Sequence, residues 1–190
     1  MKLLLAALPL MASAFPMESD YTVNKVTGEA CHWVSAVYGD MIFCNPGEIM
    51  TGVCGSGYRS DCDHGKYWYM IQCCEAGSAE QHNCQIEHSK YGDSAKCPGD
   101  RPGAYGGCGS GKNADCNTGG HKDWNELQCC EKEDIRMYTD SDSCLTYYGY
   151  HGDKAECPHH YGIHQVCGSG MNKDCSGNTI KIKCCPYDIV

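Results

Sequence analysis

The side chains with the greatest chemical capacity in this chain are its cysteines, of which there are 18 among 190 residues. Thiols at such density either close disulfides or bind metal, and zinc modules favour cysteine pairs two to four residues apart. No Cys-x2-Cys pair occurs here. So high a cysteine content in a short exported chain is typical of a disulfide scaffold. We therefore expect all 18 cysteines to be bonded, as nine disulfides.

The cysteines fall into three groups of six with nearly the same spacing. The first gap holds twelve residues and the third holds seven in every group, whereas the second holds nine or ten. Internal periodicity of about 50 residues indicates tandem copies of one supersecondary unit. The three units span 31–74, 84–130 and 144–185, and short connectors join them.

The pairing within each unit is narrowed by strand geometry, although six cysteines allow fifteen pairings and sequence alone does not choose among them. Neighbouring residues on a strand point to opposite faces, so the two adjacent cysteines at the end of each unit should bond to different partners. The constant seven-residue gap suggests a closed loop. We favour Cys31–Cys74, Cys44–Cys73 and Cys54–Cys62 in the first unit; Cys84–Cys130, Cys97–Cys129 and Cys108–Cys116 in the second; and Cys144–Cys185, Cys157–Cys184 and Cys167–Cys175 in the third.

The elements that position these cysteines are predicted to be short strands. Each unit ends in an alternating run before its cysteine pair, and period-two alternation is the signal of a strand. Glycine and proline recur at the spacing of turns, and no long stretch has helical periodicity. The pattern predicts an all-β protein of three disulfide-stapled repeats packed about a pseudo-threefold axis, with Ile71, Leu127 and Ile182 as equivalent core positions. Three beads on short linkers are the alternative.

The N-terminus has the pattern of an export signal. One basic residue precedes a short apolar run, and Ala12-Ser13-Ala14 provides a small-x-small cleavage site. The pattern predicts a signal peptide over 1–14, followed by an N-terminal segment over 15–30. The run is shorter than the roughly 20 apolar residues of a membrane span, so we expect a secreted, extracellular protein with no transmembrane anchor. The formal net charge of −9 argues against a nucleic-acid partner.

The residue order within each unit resembles two secreted families with threefold internal repeats. The first unit contributes Cys31, Trp33, Phe43, Cys44, Pro46, Gly47, Ile49 and Gly52 to the shared order. This order resembles dermatopontin, an extracellular-matrix family whose repeats run from a Cys-Pro-x-Gly turn to an aromatic strand ending in cysteine. The closing run 177–184 is similar to the Ile-x-Leu-x-Cys strand of the vitelline membrane outer layer family. The dermatopontin Asp-Arg-x-Trp-x-Phe-x-Cys box is missing, so the resemblance implies a secreted β-repeat and carries over no binding residue.

Serines between glycines recur in the third gap of every unit, at Ser56, Ser110 and Ser169. They do not meet the Gly-x-Ser-x-Gly pattern of a nucleophile elbow. We interpret them as parts of disulfide-closed turns, in which glycine supplies a positive φ.

A histidine cluster occurs only in the third unit, at His159, His160 and His164. We expect surface histidines there, and the alternative is a metal site.

Aspartates also recur in all three units. One set follows a glycine in the first gap and the other precedes the fourth cysteine: Asp40, Asp93 and Asp153; Asp61, Asp115 and Asp174. Oxygen ligands suit calcium, so Asp61, Asp115 and Asp174 are candidate ligands for a divalent cation or a cation-bearing surface. The alternative is that each aspartate caps its own turn.

Tyrosines cluster near the start of the third unit, at Tyr147, Tyr148 and Tyr150. Aromatic clusters on rigid repeats suit carbohydrate or protein contact, and they equally suit a core that is poor in Phe and Leu.

The sequence therefore predicts a secreted, acidic, non-catalytic protein with a structural or adhesive role in a matrix, egg coat or mineralised layer. We expect no enzyme activity and no cofactor, with calcium as the one candidate. The expected partners are an extracellular protein, a glycan or a mineral surface. A secreted binding effector, such as a lectin, toxin or host-interaction protein, is the alternative, and a glycan-active enzyme is the second alternative.

Overall fold

The computed structural model describes residues 30–36, 39–55, 62–65, 67, 69–90, 92–109, 116, 125–150, 152–168 and 175–190. The predicted signal peptide, and the N-terminal segment up to residue 29, lie outside these ranges. The described chain is all-β, as predicted, with one helix of a single turn. Its elements are β1 (Cys31–Ala36), β2 (Ile42–Phe43), β3 (Glu48–Gly55), α1 (Cys62–Gly65), β4 (Tyr69–Glu75), β5 (His82–Ser89), β6 (Ser94–Lys96), β7 (Gly103–Gly109), β8 (Asn125–Glu131), β9 (Ile135–Met137), β10 (Leu145–Gly149), β11 (Lys154–Glu156), β12 (Tyr161–Gly168) and β13 (Ile180–Ile189).

Each cysteine group contributes three strands to its own antiparallel sheet. In every group the last strand lies in the centre, between the first and the third: β1-β4-β3, β5-β8-β7 and β10-β13-β12. The central strand carries the adjacent cysteine pair, so its alternation directs one cysteine to each face of the sheet. We call these the first, second and third sheets.

The second, shortest strand of each group leaves its own sheet and joins that of another group. β2 pairs with β7, β6 pairs with β12, and β11 pairs with β3, all antiparallel. The first group thus extends the second sheet, the second group extends the third, and the third group returns to the first. The described strands of the three groups therefore form one closed structure. We call each place where the short strand of one group joins the sheet of another a seam.

A β-bulge lies at the same place in every third strand. The registers shift at Thr51, Tyr105 and His164. A bulge takes one residue out of the ladder, which leaves its carbonyl available to the neighbouring group. These three carbonyls accept hydrogen bonds across the seams, from Cys157 N to Thr51 O at 2.7 Å, from Cys44 N to Tyr105 O at 2.8 Å and from Cys97 N to His164 O at 3.0 Å.

A Gly-Asp turn between the first and second cysteines of each group precedes the short strand that joins the neighbouring sheet. The glycines of these turns, Gly39, Gly92 and Gly152, have φ of 76°, 73° and 76°, a conformation that glycine adopts without steric cost. Their carbonyl oxygens each lie 3.4 Å from a disulfide sulfur of the next group: Gly39 from Cys108, Gly92 from Cys167 and Gly152 from Cys54.

The glycine after each third cysteine lets the groups approach closely. A Cβ on Gly109 would overlap the Tyr69 ring, and one on Gly168 would overlap the side chain of Asn125. A Cβ on Gly55 would lie 2.6 Å from Cδ1 of Ile180. None of these three glycines has a positive φ, so the expectation of that conformation is wrong for them. The first residue of the neighbouring central strand occupies the space instead.

The core lies where the inner faces of the three sheets meet. Ile71, Leu127 and Ile182 are fully buried in one hydrophobic cluster, which confirms their predicted place in a common core. The cluster also contains Cys73, Cys129 and Cys184 from the inner face of the central strands.

Nine disulfides bond all 18 cysteines, and they join the pairs favoured above. Cys31 lies directly opposite Cys74 in the β1–β4 ladder. A bridge of this kind typically contributes about 2–4 kcal/mol by restricting the unfolded chain. Such bridges compensate for the small aliphatic content of the core.

An ion pair with a buried lysine links the connector over 75–83 to the connector over 131–143. The side chain of Lys132 is fully buried, and its Nζ donates to the carbonyl of Ala76 at 2.7 Å and to the Asp134 carboxylate. That carboxylate also accepts the backbone N–H groups of Ser78 and Ala79, at 2.6 and 2.8 Å. Burial alone would raise the pKa of Asp134, but the hydrogen bonds from Ala79, Lys132 and Ser78 hold it below its ordinary value.

The contact between Gly109 and the Tyr69 ring predicts that one added methyl group will lower the stability of the fold. Gly109→Ala should lower the free energy of unfolding by about 1–3 kcal/mol, because the Tyr69 ring must move. Gly99→Ala is the matched control, since a Cβ at that position would have no other atom within 4 Å, and it should change stability by less than about 0.5 kcal/mol. Denaturant unfolding of the oxidised proteins measures both. Equal stability of the two variants would contradict the seam packing.

The connector ion pair predicts acid sensitivity. Because the pKa of Asp134 is depressed in the folded state, its contribution is present above the ordinary carboxyl range and is lost as the pH falls through the folded value. Asp134→Asn should therefore be less stable than the parent at neutral pH, and the difference should shrink towards pH 2. Thermal unfolding between pH 2 and 7 measures it, and a difference independent of pH would contradict the assignment.

Candidate functional site

The three sheets share one framework but present unlike outer faces. On each central strand the inner side chains join the core, so the side chains between them point to the opposite, outer face. At these outer positions the first sheet has Met70 and Gln72, the second has Glu126 and Gln128, and the third has Lys181 and Lys183. The cross-strand partners of these residues differ as well, so each outer face has its own chemistry.

The outer face of the first sheet combines an aromatic ring with polar groups. Trp33 lies opposite Gln72 on the neighbouring strand, and the Lys154 ammonium lies 4.5 Å from the centroid of the Trp33 ring, a cation–π contact. The Thr51 hydroxyl donates to Oε1 of Gln72 at 2.9 Å. A cavity of about 160 Å³ adjoins this face, and Glu156 also lines it. Aromatic and amide groups in this arrangement suit a neutral sugar or a peptide.

The outer face of the second sheet contains a buried carboxylate. Glu126 is fully buried, and its Oε1 lies 3.3 Å from Nδ1 of His88 on the adjacent strand. Phe43, from the first group, is at the edge of the same face and is 48% exposed. This face therefore combines an exposed aromatic ring at its edge with one His–Glu pair.

The outer face of the third sheet is basic. Lys183 lies in a cross-strand row with Thr146 and Gln165, and Gln165 in turn lies opposite Lys96. Lys181 lies in the next row. Within the part of the chain that the structure describes, none of the three lysines lies within ion-pair distance of a carboxylate. Three lysines without a carboxylate partner among the described residues thus share one face of a protein with a net charge of −9.

The basic face adjoins an exposed edge strand. β10 is at the edge of the third sheet, and in the described ranges it pairs only with β13. Leu145, Tyr148 and Tyr150 are 43%, 50% and 51% exposed, whereas Tyr147 packs against the core. The tyrosine cluster therefore serves both purposes that the sequence left open: one ring packs in the core and two are exposed.

A second cleft lies beside the connector that precedes the third group. Its volume is about 230 Å³, and Glu131, Lys132, Glu133 and Tyr105 are among its lining residues. His82 lies between two carboxylates, 3.7 Å from Glu131 and 3.8 Å from Glu133. The buried cation of this cleft is already bound by Asp134, so the remaining groups give it an acidic character.

The aspartates proposed as calcium ligands, Asp61, Asp115 and Asp174, lie outside the described residues, as do Ser56, Ser110 and Ser169. Of the other set, Asp153 accepts a hydrogen bond from the backbone N–H of Tyr150 at 3.1 Å, which supports the turn-capping alternative at that position.

Among the described residues, the one group of three that could hold a metal is Cys44, Glu48 and Cys73. The two cysteines form a disulfide with each other, so neither offers a thiolate. Calcium binding at the three aspartates stays a prediction.

The histidine cluster is divided between two environments. His159 and His160 are exposed, but His164 is 2% exposed, so the expectation of a surface position is wrong for His164. The β-bulge turns its side chain into the seam, where Nδ1 donates to the carbonyl of Pro102 at 2.9 Å. Burial lowers the pKa of His164, and the positive charges of Lys96 and Lys183 lower it further, against the opposing effect of the Pro102 hydrogen bond.

No protein-family model matches this sequence, and no curated protein matches it significantly. Over the residues that the structure describes, no helix has the length and apolar character needed to cross a membrane. The assignment of a function therefore depends on the three faces themselves.

The buried His164 predicts a loss of stability below neutral pH. A histidine whose pKa is lowered by folding contributes stability above its ordinary pKa near 6.5, and this contribution is lost as the pH falls through the folded value. The parent should therefore lose more stability between pH 7.5 and 5 than His164→Gln, which retains a hydrogen-bond donor but does not titrate. Thermal unfolding at both pH values measures this, and equal losses would contradict the prediction.

Proposed function

We propose that this chain is a secreted, non-catalytic extracellular protein with a structural or adhesive role, in which three homologous units are related by a pseudo-threefold axis. The observation that carries the proposal is the contrast between framework and faces. The cysteines, the seam glycines and the bulges recur in all three groups. The outer-face side chains do not recur, and they present three surfaces on one body: Trp33 with polar groups, a His–Glu pair beside Phe43, and a basic surface.

A repeated framework with three different outer faces suits a protein that binds several partners at once. Weak sites on one rigid body gain avidity because the second contact forms at high effective concentration. A disulfide framework keeps the faces in a fixed relation without a large core. These are the properties required of a component that connects other molecules outside the cell.

Secretion is supported by the nine disulfides, which persist in oxidising compartments, together with the export pattern at the N-terminus. The resemblance of the repeats to dermatopontin and to vitelline membrane outer layer proteins agrees with the same proposal. Of the alternatives, a lectin is favoured by one observation: Trp33 lies opposite Gln72, which lines a cavity together with Glu156.

Retention on extracellular material tests the proposal. The oxidised protein should sediment saturably with the insoluble extracellular fraction of the producing tissue at physiological salt, because its faces bind surfaces there. The reduced and alkylated chain is the control, and it should lose retention because the faces depend on the framework. A glycan array run in parallel distinguishes the lectin, which would bind isolated neutral oligosaccharides.

Two results would overturn the proposal. One is the absence of retention by the oxidised protein. The other is turnover of chito-oligosaccharides, followed by mass spectrometry, that a carboxylate substitution abolishes, since this would establish the glycan-active enzyme.

A further inference from the structure

We propose that the third sheet binds an extended acidic protein segment, which adds to β10 as a further strand and directs alternate carboxylates towards Lys181 and Lys183. The inference rests on the proposed function, because it names the kind of partner that one of the three faces takes. It depends on two independent features of the described residues: β10 pairs with one strand alone, β13, and two lysines on β13 have no carboxylate within ion-pair distance.

Within the described ranges, β10 itself carries none of the features that usually hinder strand addition. Natural edge strands are shielded by charged side chains, proline or bulges. From Leu145 to Tyr150 the chain contains no charged residue and no proline, and the β10–β13 register is unbroken. By contrast, the corresponding edge strand β5 of the second sheet includes Glu87 and a register shift.

Exposed apolar side chains concentrate at the same edge. Leu145, Tyr148 and Tyr150 are three of the seven large hydrophobic residues that are exposed in the described chain. Strand addition uses main-chain hydrogen bonds for affinity and flanking side chains for specificity. Tyr148, on the outer face, would cover the side chains of an added strand.

The lysines provide the specificity for acidic residues. Lys181 and Lys183 are two residues apart on β13, so their Cα atoms are separated by about 6.8 Å, the same repeat as alternate side chains of any extended chain. An added strand would lie two strand spacings, about 9.6 Å, from β13. Glutamate and lysine side chains together span that distance, across Thr146 and Tyr148.

Among the three sheets, only the third has two lysines at these outer positions of its central strand. At the positions equivalent to Lys181 and Lys183, the first sheet has Met70 and Gln72, and the second has Glu126 and Gln128. Lys96, supplied by the second group, adds a third positive charge to the face. The protein is acidic overall, but at physiological salt the Debye length is about 8 Å, so nearby lysines dominate the local potential.

A protein segment fits these features better than an anionic glycan does. A glycan would satisfy the lysines, but it has no run of backbone amides to pair with the edge of β10. An extended peptide satisfies both the edge and the charges with a single chain.

The test uses a fluorescent seven-residue peptide, acetyl-Thr-Val-Glu-Val-Glu-Val-Thr-amide, and the full oxidised protein. Anisotropy titration should show saturable binding. The double variant Lys181→Gln/Lys183→Gln should weaken binding about tenfold, or about threefold per surface pair. The matched control, Lys90→Gln/Arg136→Gln, removes the same charge from two exposed residues outside the outer face of the third sheet, Lys90 after β5 and Arg136 on β9, and should bind like the parent. The peptide with Gln in place of both Glu should bind the parent as weakly as the double variant binds the original.

Backbone methylation tests strand addition itself. Two further peptides carry N-methyl groups on alternate residues, one on the odd amides and the other on the even amides. Because an extended strand presents alternate amides to opposite edges, one peptide should lose binding and the other should retain it. Equal binding of both would overturn strand addition.

Three other results would overturn the inference: no binding of the parent to the acidic peptide, equal binding by both double variants, or binding of a sulfated hexasaccharide at Lys181 and Lys183 without binding of the peptide. If the protein is still retained by extracellular material in any of these cases, the proposed function stands and only the assignment of this face fails.

Discussion

The structure depends on the close approach of the three groups at their seams. A short strand can reach the sheet of the next group only if the groups come close together, and this requires that the residue after each third cysteine carry no side chain of its own. Gly55, Gly109 and Gly168 meet this condition, and the side chains of Ile180, Tyr69 and Asn125 occupy the space left at those glycines. The β-bulges complete each seam, because they release one carbonyl from the ladder to bond the neighbouring group.

The disulfides act within groups, whereas the strand exchange acts between groups. Every bridge joins two cysteines of one group, so covalent bonds alone would leave three separate units. The shared core, with Ile71, Leu127 and Ile182, and the seam hydrogen bonds unite them. Apart from one disulfide on each, the outer faces take no part in the shared core. Their other side chains can therefore differ in chemistry while the inner positions repeat.

Much of the framework was predictable because its signals are local. Equal cysteine gaps indicated three groups, and the adjacent cysteines at 73 and 74 indicated two faces of one strand. The seams were not predictable, since nothing near Gly109 in sequence indicates that Tyr69, 40 residues earlier, packs on it. The Gly-Ser-Gly pattern instead predicts a turn that uses the conformational freedom of glycine. The sequence predicts a surface position for His164 because a bulge, which turns its side chain inwards, leaves no local sequence signal.

The basic face was missed for a related reason. In the run Lys181-Ile182-Lys183, alternating lysines have the pattern expected of the solvent side of any strand. Lys96 reaches the same face only because β6 joins the third sheet. Only a comparison of matching positions in the three sheets shows that this charge belongs to one of them. A face assembled from two groups becomes visible when the topology is known.

The central claim is that the three groups fold as one interlocked body. Scanning calorimetry of the oxidised protein tests it most directly, because cooperative unfolding requires that the groups stabilise one another. The account predicts a single transition whose calorimetric and van't Hoff enthalpies agree. Three separable transitions, each with the enthalpy of one group, would contradict it.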